Sequence, residues 1–254
     1  MITFCRIIMF LLVFSTVPGL ECKSYGFVPP AELQAFPMIK INNKSVTLSN
    51  DGKLLIEVTL DNSIWSAPTD EIAFHSATVA YVVYKAIPFA FSTPMKIQIS
   101  KWDHPRILFN RGPNNEYLVL LGDSNQAPYI AFGFGQELGH ALIDNLNGSA
   151  DPQLWFEETF CEALAVWALQ QLALEWGKSK DGNLKFYAQM FSSEAKNLHY
   201  NTKPPSEGYP LWFAKNRKFL TEKCNDRELE NEGHFPYFHF FKGGRLAAFI
   251  ISEQ

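Results

Sequence analysis

The residues with the most chemical content lie in Gly135-Gln136-Glu137-Leu138-Gly139-His140. Residues three and four apart on a helix share a face. A helix here therefore projects Gln136, Glu137 and His140 together, away from the apolar stripe of Ile130, Phe134 and Leu138. Two imidazoles at i and i+4 reach one tetrahedral zinc ion, and a carboxylate beside the first takes a proton from metal-bound water. Gln136 stands where the first imidazole of such a site belongs. An amide oxygen is a weak donor and an imidazole nitrogen a strong one, so one strong ligand is missing and zinc binding should weaken by orders of magnitude. Taken alone, a Glu137/His140 pair at i, i+3 also reads as an ordinary polar helix face.

A further ligand has to come from elsewhere, and Trp155-Phe156-Glu157-Glu158-Thr159-Phe160-Cys161-Glu162 opens the next helical stretch. The pairing of Q-E-L-G-H with W-F-E-E-T-F-C-E resembles the gluzincin metallopeptidases, over about residues 117–176. More narrowly, it resembles secreted proteins that carry H-E-[FL]-x-H followed by W-F-E-E-x-x-C-E. The resemblance implies a zincin-like α+β fold, with a small twisted sheet packed on a central active-site helix and a second, Glu-bearing helix. It implies zinc as cofactor and a peptide or protein as substrate or ligand. His140 matches the second zinc histidine, and Glu158, eighteen residues further on, matches the ligand glutamate. Glu137 matches the general base, and Gln136 fills the place of the remaining ligand. Glu162, one turn past Glu158, is positioned to take a hydrogen bond from His140 or to orient a neighbour. Tyr117–Leu121 falls where these enzymes place an edge strand, which binds substrate backbone by strand addition. The transition-state stabiliser is left open among Tyr187, Tyr200, Tyr209 and Tyr237.

The glutamine leaves three readings open: a degenerate site without metal, a site with weak or different metal binding through the Gln136 oxygen, and unrelated chemistry. The expected function is peptide-bond hydrolysis by metal-activated water, impaired by Gln136. The alternative is a non-catalytic peptide-binding protein, a pseudoenzyme on the same scaffold. Other classes fare worse. A di-iron carboxylate bundle needs two Glu-x-x-His pairs, and Glu137/His140 is the single one in the chain. No Gly-x-Ser-x-Gly is present for a serine hydrolase. Glu157 and Glu158 also suit a helix N-terminus, where acidic groups complement the dipole. Cys161 reads as a small buried residue rather than a nucleophile. Gly133, Gly135 and Gly139 each cost about 1 kcal/mol in a helix, and their clustering predicts a closely packed neighbour. His75, His104, His199, His234 and His239 show no ligand spacing and read as surface or loop residues.

These residues need elements to hold them. Leu54–Leu60, after the turn signal Asp51-Gly52, reads as a strand, as do the alternating Met95–Ser100 and the apolar Tyr117–Leu121. Residues 23–50 read as irregular and 102–115 as a loop. Glu71–Ala86 reads as a helix despite its β-branched content. Two central helices are expected over 128–145, with Ile130, Phe134, Leu138 and Leu142 on its buried face, and over 152–176. The second has Asp151 as N-cap, Pro152 at its first position and Gly177 as its stop. Weaker helical patterns follow at Leu184–Leu198 and Trp212–Cys224. The stretch past Glu232 is dense in aromatics and has no helical period.

The bulk numbers agree with one folded domain over 20–254. Of 254 residues 47% are hydrophobic and 19% charged, with Phe 22 times, which is the composition of a chain that can build a core. The net charge of −4 argues against a nucleic-acid groove. Residues 1–19 read as a signal peptide: Arg6, an apolar run over Ile7–Val17, then Pro18-Gly19. The run is too short to span a bilayer comfortably, so the expected location is secreted or periplasmic, with no stable membrane span after cleavage. A lipoprotein cysteine at Cys22 fits less well, with Glu21 beside it. Cys22, Cys161 and Cys224 would remain, enough for one disulfide at most. Asn43-Lys44-Ser45 and Asn147-Gly148-Ser149 are glycosylation sequons in a eukaryotic host.

Overall fold

The computed structural model describes residues 39–42, 44–108, 110–147 and 154–200, together with Leu211, Ala214 and Lys215. The expected signal segment, Asp151, Pro152, most of the 212–224 helix and the aromatic stretch past Glu232 lie outside the described residues.

The described residues form an α+β fold with a six-stranded mixed sheet. Strands β1 (Ile39–Asn42), β2 (Ser45–Asn50) and β3 (Lys53–Leu60) form an antiparallel meander. The β2–β3 connection is the expected Asp51-Gly52 turn. Both residues have positive φ, 50° and 77°, which is the backbone a two-residue hairpin turn requires. Helix α1 (Thr69–Ala86) then crosses over, because β4 (Met95–Trp102) pairs with β3 in parallel and parallel neighbours need a long connection. β6 (Tyr117–Gly122) continues in parallel beside β4, and the short β5 (Arg106–Ile107) closes the sheet antiparallel to β6. The strand order is β1-β2-β3-β4-β6-β5.

Part of the region read as irregular, 23–50, is therefore β1 and β2. Alternation was present there: Ile39, Val46 and Leu48 are buried. The strands are short, and polar residues separate them. Part of the expected 102–115 loop is likewise β5.

The sheet's inner face is apolar. Ile56, Val58 and Leu60 of β3, Met95, Ile97 and Ile99 of β4, and Tyr117, Val119 and Leu121 of β6 are all buried. The intervening Lys96 is exposed, and Glu57, Thr59, Gln98 and Ser100 are half-buried, the period-two pattern of a sheet covered on one side. α1 and α2 (Ala127–Asn147) pack against the sheet and against each other. α3 (Leu154–Trp176) packs on both, and α4 (Gly182–Tyr200) packs mainly on α3. α1 is sandwiched between these layers, so residues on all its sides are buried, from Ile72 to Val83. That explains why β-branched residues do not disqualify it: tertiary burial outweighs a few tenths of a kcal/mol of propensity. α3 stops at Trp176, and the Gly177 N–H closes its last turn on the Ala173 carbonyl.

Candidate functional site

The expected buried stripe of α2 is present, with Ile130, Phe134, Leu138 and Leu142 all 2% exposed or less. The glycines explain how α2 meets α3. A Cβ on Gly139 would stand 2.8 Å from Cys161 Sγ and 3.1 Å from its Cα, and one on Gly135 would stand 3.1 Å from Ala165 Cα. Moving one turn forward on α2 thus moves one turn back on α3, so the helices cross antiparallel with their backbones close together. Gly133 meets the Pro105 ring instead, 2.9 Å from the same construction. Cys161 is a small buried residue that fills this crossing, as expected.

The crossing brings the polar face of α2 to the first turn of α3. Glu137 is 3% and His140 7% exposed, and Gln136 is half-buried. His140 Nδ1 lies 2.7 Å from Glu157 Oε1. A carboxylate accepts and cannot donate. The proton in this contact therefore belongs to the imidazole Nδ1, which donates to Glu157. Glu158 is on the same turn of α3, but its side chain lies outside the described residues; Glu162 is half-buried one turn on. Glu157 is the contact that sequence reasoning missed.

Asp144, one turn past His140, takes an ion pair from Arg111 at 2.8 Å. The Arg111 guanidinium lies 3.1 Å from the centre of the Tyr117 ring, a cation–π stack. Burial pushes the Tyr117 phenol far above its ordinary range, against the Arg111 charge. Neither Arg111 nor Asp144 carried a motif, and nothing in the sequence pointed to their meeting.

Two expectations need correcting. β6 is not the edge strand: it is paired on both sides, and Arg106–Leu108 occupies its outer flank, with the Leu108 N–H on the Leu118 carbonyl. The edge is β5, too short to show alternation in the sequence. Its segment is anchored to α2 at both ends, by Pro105 on Gly133 and Arg111 on Asp144, spanning the turns that carry Gln136, Glu137 and His140. His75 is not a surface residue either. It is 0% exposed on α1, boxed by Phe74, Trp176, Tyr187 and Phe191. His104 is exposed in a loop, as expected. The His199 side chain and all of His234 and His239 lie outside the described residues.

Tyr187 belongs to the His75 box at the Trp176 end of α3. Nineteen residues separate Trp176 from Glu157, about 28 Å at 1.5 Å per residue, so Tyr187 cannot act on a group held at His140. The Tyr200 side chain, Tyr209 and Tyr237 lie outside the described residues. An open groove of about 410 Å³, lined by Lys185, Gln189, Ser192 and Lys196 among others, is also at that far end.

Among the described residues, no three His, Cys, Asp or Glu side chains gather around one metal position. His140 and one carboxylate are two strong donors, and Gln136 adds a weak one, so this set does not fit a tight three-ligand zinc site. No helix among the described residues is long and apolar enough to cross a membrane. No protein-family model, curated protein or solved structure matches the chain.

Proposed function

We propose that this is an exported, metallopeptidase-like protein on a zincin-like scaffold, with peptides as its ligands and with hydrolysis impaired because Gln136 replaces a metal ligand. The observation that carries this reading is the α2–α3 crossing, which sinks Glu137 and His140 against the first turn of α3 with Glu157 on His140 Nδ1. A carboxylate on one imidazole nitrogen fixes the ring and makes the other nitrogen a better donor. That arrangement suits a ligand histidine better than a solvated helix face. The second support is β5, an edge strand tied down alongside the same turns of α2, where an extended peptide adds by backbone hydrogen bonding. Export rests on residues 1–19, and N-terminal sequencing of the mature chain checks it: a chain starting at Met1 refutes export.

The test of function is zinc content and peptide hydrolysis of the native chain, beside Glu137→Ala. Substoichiometric zinc and hydrolysis at background are expected for both. Native hydrolysis that disappears in Glu137→Ala would show a working enzyme despite the glutamine. Full zinc occupancy in the native chain would show that Gln136 or another residue completes the site.

A further inference from the structure

We propose that His75 is an acid-sensitive latch that holds helix α4 against α1 and α3, and that protonating it releases α4. The proposal concerns the end of α3 remote from Glu157 and does not depend on the metallopeptidase reading.

The box has four aromatic walls from three helices. Phe74 of α1 and Trp176 of α3 stack with ring centres 5.4 Å apart. Tyr187 and Phe191, one turn apart on α4, meet the imidazole edge-on at 5.0 and 5.9 Å. They also touch Trp176, at 6.2 and 5.2 Å. α4 therefore docks through the same two rings that seal His75 from water.

The imidazole is poorly satisfied inside this box. Neither of its nitrogens has a hydrogen-bond partner within ordinary distance. The nearest acceptor is Glu71 Oε1, 3.6 Å from Nε2, and that oxygen already takes the Tyr187 hydroxyl at 3.1 Å. A neutral ring has one N–H to place, and an imidazolium has two. Glu71 can serve the proton on Nε2, but a proton on Nδ1 has no acceptor within hydrogen-bond distance. The facing groups are Phe74 and Glu71 from α1, Trp176 from α3, and Tyr187 and Phe191 from α4. Among the described residues Glu71 is the sole charged group acting on His75, and burial outweighs it, holding the imidazole below its ordinary value.

The sign follows from linkage. Above the ordinary value of 6.5 the ring is neutral whether α4 is docked or not, and His75 adds no pH dependence. Below it, a ring opened to water binds a proton that the closed box refuses. Acid therefore favours opening, by up to about tenfold in the opening constant per pH unit. Opening needs α4 to move, since α4 supplies two of the walls; α1 and α3 are held by the core beneath.

Hydrogen exchange followed by mass spectrometry tests this on the whole chain, from about pH 7.5 to about pH 5 across the histidine range, with intrinsic exchange rates divided out. Protection of peptides within Asn183–Leu198 is expected to fall by up to about tenfold per unit below the ordinary histidine value, while peptides from β3, β4 and β6 hold. In His75→Phe, which keeps a ring in the box, α4 protection should be flat with pH. Constant α4 protection in the native chain, or a fall that persists in His75→Phe, overturns the proposal. If His75→Phe does not fold, an NMR titration of the native imidazoles decides. A His75 ring that titrates at its ordinary value with α4 still protected overturns it. A ring that takes up its proton only as α4 loses protection supports it.

Discussion

Among the described residues two histidines are buried, toward opposite ends of α3, and they are held by opposite means. His140 has a carboxylate 2.7 Å from Nδ1, in a crossing lined by glycine, cysteine and alanine. His75 has its nearest carboxylate at 3.6 Å and four aromatic rings around it. One imidazole is fixed by polarity, through an oriented carboxylate. The other is fixed by shape and is exposed to the cost of burying an unmet polar group. A histidine against an oriented carboxylate suits a ligand. A histidine in a dry box suits a sensor, because its protonation competes directly with packing.

The largest expected effect falls on the box. Trp176 is 1% exposed and touches Phe74, His75, Tyr187 and Phe191. Trp176→Ala should lower stability by about 3–5 kcal/mol in chemical denaturation, as for large core truncations. A loss under about 1 kcal/mol would mean that the rings do not carry the docking of α4.

At the other end the expected losses are smaller. Gly139→Ala gains about 1 kcal/mol of helix propensity but forces a methyl group onto the Cys161 backbone and sulfur. The net expectation is a loss of about 1–3 kcal/mol. A stabilised Gly139→Ala would show that the helices stand further apart than described. Glu157→Gln keeps the shape but removes the charge that His140 meets, and about 1–3 kcal/mol should go. The same substitution should leave the pH response of α4 untouched, which separates the two ends.

The pH dependence of global stability is the smallest of these effects. His75 contributes nothing above 6.5 and destabilises as the pH falls below it, by at most about 1.4 kcal/mol per unit. Denaturant titrations of the native chain and His75→Phe check this as a difference between the two slopes. Equal slopes would mean that His75 carries the same charge in both states, contrary to its surroundings.

What could be read in the sequence divides along the same line. Strands β3, β4 and β6 and helix α2 showed in local patterning, α1 in its composition, α3 in its start and stop residues and α4 only weakly, and Gly135 and Gly139 predicted the close crossing they make. The Glu137/His140 face was legible because its members sit within one turn of one helix. The His75 box was not, because its walls come from positions 74, 176, 187 and 191, and α1 is buried on all sides, its polar Ser76 and Thr78 included. β1 and β2 were missed because four to six residues of alternation compete poorly with nearby prolines and asparagines. The edge was assigned to β6 because two residues of β5 have no period at all. Arg111 with Asp144 is a contact between a loop and a helix, and spacing rules say nothing about it.

The central claim is that one residue, Gln136, keeps this scaffold from holding zinc well. Zinc affinity of Gln136→His against the native chain, by competition with a chromogenic chelator, tests it most directly. The account predicts that the new imidazole, at i and i+4 with His140, tightens zinc binding by about tenfold to a hundredfold or more and brings occupancy near one per chain. A folded Gln136→His variant that binds zinc no better than the native chain would mean that these positions do not converge on an ion, and the metallopeptidase-like reading would be wrong.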